Sequence, residues 1–118
     1  MFGEILEAAV ARTPGAVGGA FAAADGETVD MVSEWEVSDW KILTAHYGIV
    51  LTSIQSALHT FHYGEAELIV VSHRKLELLI RSVVDGYFAL IAIEPPAPLA
   101  RAIASLERAS GELQREMA

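Results

Sequence analysis

Residues 13–29 read TPGAVGGAFAAADGETV. Gly15, Gly18 and Gly19 crowd the front of this stretch, alanines follow, and Asp25-Gly26 comes near its end. A glycine-rich loop cradling a phosphate and a thin β-hairpin both use such a composition. A P-loop needs a lysine and a hydroxyl directly after its last glycine, to meet the phosphates and magnesium. No lysine follows here. A Rossmann turn needs its glycines to open a helix, whereas Gly18-Gly19 runs into Ala20, Phe21 and a turn sequence. The hairpin is therefore the expected structure, with strands over Val17–Ala24 and Glu27–Ser33 and a two-residue turn at Asp25-Gly26. Strand alternation places Val17, Gly19, Phe21 and Ala23 on one face and Gly18, Ala20, Ala22 and Ala24 on the other. A face of such small side chains lets a helix approach closely.

The rest of the chain organises around this hairpin. Before it, Phe2, Ile5, Leu6, Ala9 and Val10 recur at helical spacing and predict a helix over 2–12, stopped by Thr13-Pro14-Gly15. After it, Ser38 or Asp39 is placed to cap a helix over 39–62, which Gly64 ends. Its stripe is Trp40, Leu43, Tyr47, Val50, Ile54, Leu58 and Phe61, the longest periodic signal in the chain. Three apolar strands follow, ELIVVSH (67–73), LELLIRSVV (76–84) and YFALIAI (87–93). His73-Arg74 leaves room only for a tight turn, and Asp85-Gly86 is a second hairpin turn. Beyond Pro95, Pro96 and Pro98, a last helix carries Leu99, Ile103, Leu106 and Leu113. Gly111 weakens that helix by about 1 kcal/mol relative to alanine.

This order, α-β-β-α-β-β-β-α, predicts an α+β fold. Hairpin and meander connections give a five-stranded antiparallel sheet. Strands 68–71 and 88–93 are apolar at successive positions, which asks for helices on both faces. At 118 residues the chain suits one domain spanning 1–118.

Composition bounds the function. The hydrophobic fraction of 53% and the positive mean hydropathy exclude a disordered chain. Apolar runs are too short and too interrupted to insert in a membrane. The first residues lack the pattern of a secretory signal, so the expected location is cytoplasmic. With no cysteine, disulfides, thiolate chemistry and cysteine-ligated metals are absent. A net charge of −8 repels phosphate backbones and disfavours nucleic acid and anionic membranes as partners.

No catalytic set is evident. The G-x-S-x-G elbow of a hydrolase is missing, and the carboxylates in SEWE (33–36) and YGEAE (63–67) read as solvated groups of an acidic surface. His59 and His62 stand three apart with Glu65 and Glu67 beyond, a partial zinc pattern without H-E-x-x-H. Surface or interface histidines are the simpler reading, and no enzyme activity, cofactor or metal is expected.

The long helix carries the functional signal. Away from its apolar stripe its surface is weakly charged, with Lys41 its only lysine or arginine. Ala45, Gly48, Thr52 and Ser56 form a row of small residues flanked by Ile42 and Ile49. Such a row lets another helix pack close. The strand containing Leu68, Ile69, Val70 and Val71 begins a meander and is expected at a sheet edge, where it invites pairing with another chain. Together these features predict a two-fold homodimer.

The pattern resembles the Roadblock family, the dynein-light-chain type domain also found in bacterial and archaeal regulators of small GTPases. The matching stretches are RTPGAVGGAFAAADGETV (12–29), the helix from Asp39, and LELLIRSVVDGYFALIAI (76–93) with its hairpin at Val83–Gly86. They span nearly the whole chain. The resemblance implies a Roadblock/profilin-like fold and a homodimer or heterodimer whose sheets join across the two-fold axis. The two central helices would then lie side by side. It implies a non-catalytic adaptor that docks onto a Ras-like small GTPase, to regulate or localise it, with acceleration of GTP hydrolysis as a candidate activity. The paired surface maps onto Ala45, Gly48, Ile49, Thr52, Ser56 and Leu68–Val71. The alternative is a structural subunit of a larger motor or scaffold assembly, held by contacts to another Roadblock-type protein. A small-molecule sensor ranks below both, because the apolar strands supply no convergent polar groups.

Overall fold

A computed structural model describes residues 1–84 and 86–118. The elements are α1 (Phe2–Ala11), β1 (Ala16–Ala23), β2 (Thr28–Ser33), α2 (Val37–Thr60), β3 (Ile69–Ser72), β4 (Glu77–Val84), β5 (Tyr87–Ile93) and α3 (Leu99–Met117). The five strands form one antiparallel sheet in the order β2-β1-β5-β4-β3. The α+β order read from the sequence is the order observed.

The glycines of β1 set the layers. A Cβ on Gly18 would lie 2.8 Å from Trp40 Cη2, so the missing side chain is the space that the indole of α2 fills. Trp40 is fully buried, and its Nε1 donates to the Gly19 carbonyl at 3.2 Å, which satisfies its one polar atom. Ala20, Ala22, Leu78, Ile80, Phe88, Leu90 and Ala92 complete the core under α2. On the other face Phe21, Leu79, Ala89, Ile91 and Ile93 pack against Leu6 and Ala9 of α1 and Ala102, Leu106, Ala109 and Leu113 of α3. Helices thus cover both faces, as the doubly apolar strands required. Val17 departs from the expected alternation. It belongs to the α2 side, because the β1–β5 register shifts between Ala16 and Gly18 and turns the strand there.

The first hairpin closes through three residues rather than two. Ala23 N donates to Glu27 O at 2.8 Å and Gly26 N to Ala23 O at 2.9 Å, leaving Ala24-Asp25-Gly26 as the loop. Gly26 takes the left-handed conformation at φ +99°. Asp25 Oδ1 accepts from Glu27 N at 3.0 Å and braces the turn. The second expected turn, Asp85-Gly86, includes Asp85, which lies outside the described residues; Val84 faces Tyr87 across it.

Both ends of α2 differ from expectation. It begins at Val37, after Glu36, so Ser38 and Asp39 lie within its first turn instead of capping it. Ser38 Oγ donates to Glu36 Oε1. At the other end Tyr63 N donates to Leu58 O and His62 N to His59 O, each at 3.1 Å, with His62 at φ +59°. This is a Schellman stop in which His62 occupies the position glycine usually takes. It ends the helix at Thr60, ahead of Gly64. No helix among the described residues is long and apolar enough to cross a membrane.

Candidate functional site

Trp40, Thr44, Gly48 and Leu51 recur at three- and four-residue steps and form the buried stripe of α2. Leu43, Tyr47, Val50, Ile54 and Leu58 flank it, half-buried. Phe61, expected in the stripe, is 65% exposed beyond the helix end and stacks on Tyr63 with centroids 6.1 Å apart. The opposite side of α2 faces outward and carries the candidate site.

There Ile42 is 57% exposed and Ile49 62% exposed. Two turns separate them, about 10.5 Å along the axis. Ser53 and Ser56 continue the line, exposed and small, while Ala45 lies half-buried on its flank beside Gly26. Thr52 Oγ1 donates to Gly48 O at 2.9 Å and Thr60 Oγ1 to Ser56 O at 3.0 Å. These hydroxyls already have acceptors in their own helix, so covering them orphans no donor. Two large aliphatic side chains thus stand in water with little charge around them.

Gly48 does not share this face. It is buried, and a Cβ there would lie 3.2 Å from the Ala24 carbonyl oxygen and 3.3 Å from Phe88 Cε1. The reason is phase: Gly48 follows Trp40 and Thr44 at four-residue steps and so falls in the sheet-facing stripe. Its smallness lets α2 settle on β5 of its own chain. Of the expected small row, Thr52 and Ser56 are exposed, Ala45 is half-exposed and Gly48 points inward.

β3 is an edge strand, paired among the described residues only with β4. Its side chains are divided. Ile69 and Val71 pack beneath α2, Leu68 just before the strand packs with the α1–α3 core, and Val70 is 36% exposed. What β3 offers outward is therefore its backbone more than its side chains.

Between the second half of α2 and the sheet lies a cleft of about 560 Å³ lined in part by Thr52, Gln55, Glu65, Arg81, Ser82 and Tyr87. Gln55 commands it. Its Oε1 accepts from Ala66 N at 2.8 Å, and its Nε2 donates to Ser82 Oγ at 3.1 Å and Ala66 O at 3.4 Å. Arg81 Nη1 donates to Glu67 O at 3.5 Å. The polar groups of the cleft thus hold the α2–β3 loop to β4. Sequence reasoning passed over Gln55, although a signal was present: a glutamine four residues after Leu51, in line with the buried stripe. His59, His62 and Glu65 line an adjoining cleft, but among the described residues no three His, Asp or Glu side chains are arranged to hold a metal ion.

No family model matches the chain, and no curated protein matches it by sequence. Solved structures do match in shape. The Roadblock/LC7 domain from Streptomyces avermitilis superposes with a TM-score of 0.90 at 14% identity, covering 98% of this chain and 96% of that one. Myxococcus xanthus MglB gives 0.90 at 11% identity, covering 98% and 94%. Acanthamoeba castellanii profilin II gives 0.70 at 9% identity, covering both chains completely. With α2 alone on one face of a β2-β1-β5-β4-β3 sheet and α1 and α3 on the other, the chain has a Roadblock-type fold.

Proposed function

We propose that this protein is a non-catalytic, dimeric adaptor that binds a Ras-like small GTPase and regulates or localises it in the cytoplasm. The observation that carries the reading is the outward face of α2, where Ile42 and Ile49 stand exposed on the helix that leads into the edge strand β3. The Roadblock-type fold supports it, since regulators of small GTPases are built on that fold. In the dimer, α2 packs on its counterpart through Ile42, Ala45, Ile49, Thr52 and Ser56. The β3 edges pair so that the sheet continues across the two-fold axis. Gly48 contributes from behind, by setting the height of α2 over the sheet.

The test is calorimetry of the purified protein against Ras-like GTPases of its host, loaded with GDP or a non-hydrolysable GTP analogue, beside light scattering for oligomeric state. Binding to one nucleotide state by a dimer supports the proposal. A monomer that binds neither state refutes it. A GTPase turnover assay then separates acceleration of hydrolysis from scaffolding.

A second reading has its own observation. The sheet has two open edges, β2 as well as β3. A subunit able to pair at both ends suits a larger motor or scaffold assembly held by Roadblock-to-Roadblock contacts. Oligomers beyond a dimer, with no GTPase binding, favour it.

A further inference from the structure

The free edge at β3 carries a charge pattern that the protomer itself does not use. Along EAELIVVSHRK (65–75), Glu65 and Glu67 precede β3, and His73, Arg74 and Lys75 follow it. All five are exposed, and among the described residues none of them has an ion-pair partner. Neighbours on β4 temper both flanks without cancelling them. Arg81 donates to the Glu67 carbonyl, and Glu77 accepts from Ser72 Oγ. With these two counted and His73 neutral, the flank before β3 keeps one negative charge and the flank after it one positive charge. Lys75 N donates to His73 Nδ1 at 3.3 Å, so the proton of the neutral ring is on Nε2, free to donate.

The ladder to β4 fixes which backbone groups face the edge. His73 N donates to Leu76 O at 2.9 Å, which makes that pair a hydrogen-bonded one. Such pairs alternate along an antiparallel ladder. In the β3–β4 register, Val71 with Leu78 and Ile69 with Ile80 therefore exchange bonds, while Val70 and Ser72 turn their N–H and C=O outward. A second copy can join this edge about a two-fold axis and keep both α2 helices on one face in a single way. The axis stands perpendicular to the sheet, so the two β3 strands run antiparallel. Directly opposite residues then share a face, and hydrogen-bonded pairs come from the outward-turned residues. Val70 opposite Val70 of the second copy meets both conditions. It also sets Ile69 opposite Val71, apolar against apolar beneath α2. A shift of two residues instead sets Val70 against Ser72 and Ile69 against His73.

We propose that β3 pairs with β3 of a second copy of this chain in the register centred on Val70, and that the charged flanks select that partner. This pairing rests on the dimer reading above and gives it a register and a chosen partner. In this register Glu67 of one copy faces His73 of the other, and Glu65 faces Lys75, at both ends of the seam. Main-chain bonds and apolar contact supply the affinity, and the charges decide which edge is accepted. That division matters because each copy has a net charge of −8 and the two repel at long range. The other edge of the sheet shows the contrast. β2 is bracketed by Glu27 on one side and by Glu34 and Glu36 on the other, with no lysine or arginine between them. Pairing β2 with itself sets carboxylates against carboxylates, so the assembly closes at β3 rather than growing at β2.

The chain has no cysteine, so single substitutions report the register without background. Two Val70→Cys copies would place their Cα atoms about 5.5 Å apart, within disulfide reach. Mild oxidation should link them into a dimer, with about tenfold less product from Val71→Cys. Charge exchange tests the selection. Glu65→Lys with Glu67→Lys takes the net charge from −8 to −4, since each change adds two charges, and so eases the long-range repulsion. It should nevertheless raise the dimer dissociation constant about tenfold or more in sedimentation equilibrium. Arg74→Glu with Lys75→Glu should weaken the dimer as well. An equimolar mixture of the two variants should recover the original dissociation constant within about threefold, as a heterodimer in native mass spectrometry. Circular dichroism checks each fold, and Glu65→Gln with Glu67→Gln replaces the lysine pair if that pair misfolds. An unmodified chain that stays monomeric removes the dimer reading and the proposal together. A dimer indifferent to the charge changes, a mixture that does not recover, or cross-linking favoured at Val71→Cys overturns the proposal and leaves the dimer reading intact.

Discussion

Gly18→Ala is the sharpest perturbation of the contact that seats the central helix. The new Cβ would lie 2.8 Å and 2.9 Å from Trp40 Cη2 and Cζ2, and 2.9 Å from the Val32 carbonyl oxygen. Real Cβ contacts do not come that close, so α2 or the edge strand β2 must move. Overpacking of a filled core costs about 1–3 kcal/mol. Alanine recovers about 0.5–1 kcal/mol over glycine in a strand. Three contacts under 3.0 Å, one of them to backbone, put the overpacking in the upper half of its range, about 2–3 kcal/mol, so the net expectation is a loss of about 1–2.5 kcal/mol, or a Tm lower by about 4–10 °C for a domain of this size. Urea and thermal denaturation followed by circular dichroism measure it directly. A double-mutant cycle with Trp40→Phe then isolates the cause. The smaller ring removes part of the clash, so the pair should be less destabilised than the sum of its members by about 1 kcal/mol. A Gly18→Ala protein as stable as the parent, or strict additivity with Trp40→Phe, would refute the close approach described here.

Other positions give independent expectations. Gly48→Leu should destabilise the chain itself by about 2 kcal/mol or more, because the side chain meets the Ala24 carbonyl and Phe88; concentration-independent thermal melts check this. Ile42→Glu with Ile49→Glu should leave circular dichroism unchanged and convert a dimer to a monomer in light scattering, since both side chains are exposed within the protomer. Gln55→Ala should cost about 1–2 kcal/mol and speed hydrogen exchange at the Ala66 amide, which loses its acceptor. Gly111→Ala should stabilise by about 1 kcal/mol, because its Cβ would meet only the flexible end of Arg115.

The sequence displayed the fold through a few physical signals. Gly18 and Ala20 announced a helix in close contact, and Asp25-Gly26 a hairpin. The unbroken apolar run from Phe88 to Ile93 required cover on both faces. What stayed hidden was finer than periodicity. Gly48 looked like part of an outward row because small residues fit either face of a helix, and only the phase set by Trp40 resolves it. His62 ends α2 in a conformation that glycine usually supplies, which moved the stop ahead of Gly64. The Gln55 latch depends on where the Glu65–Leu68 segment returns to β4, a long-range fact that local pattern does not encode. Of the candidate surface, Ile42 and Ile49 were legible as aliphatics in a weakly charged row, whereas the division of the β3 side chains between two cores was not.

The strand order has a kinetic consequence. Two parts of the sheet are local: the β1–β2 hairpin and the β3-β4-β5 meander each join neighbours in sequence. The ladder between β1 and β5 is different, for Ala20 pairs with Leu90 about 70 residues away. Closing a loop of that length costs about 4 kcal/mol of chain entropy before any contact repays it. The pieces can therefore form early, and the search that limits the folding rate is for the seam between them. On the side facing α2, β1 brings only Gly18, Ala20 and Ala22 to that seam, side chains too small to hold two half-sheets together on that face alone. Docking of α2 across the gap, with Trp40 entering it, then belongs to the same event as closure, so mutations at Trp40 should slow folding rather than mainly hasten unfolding.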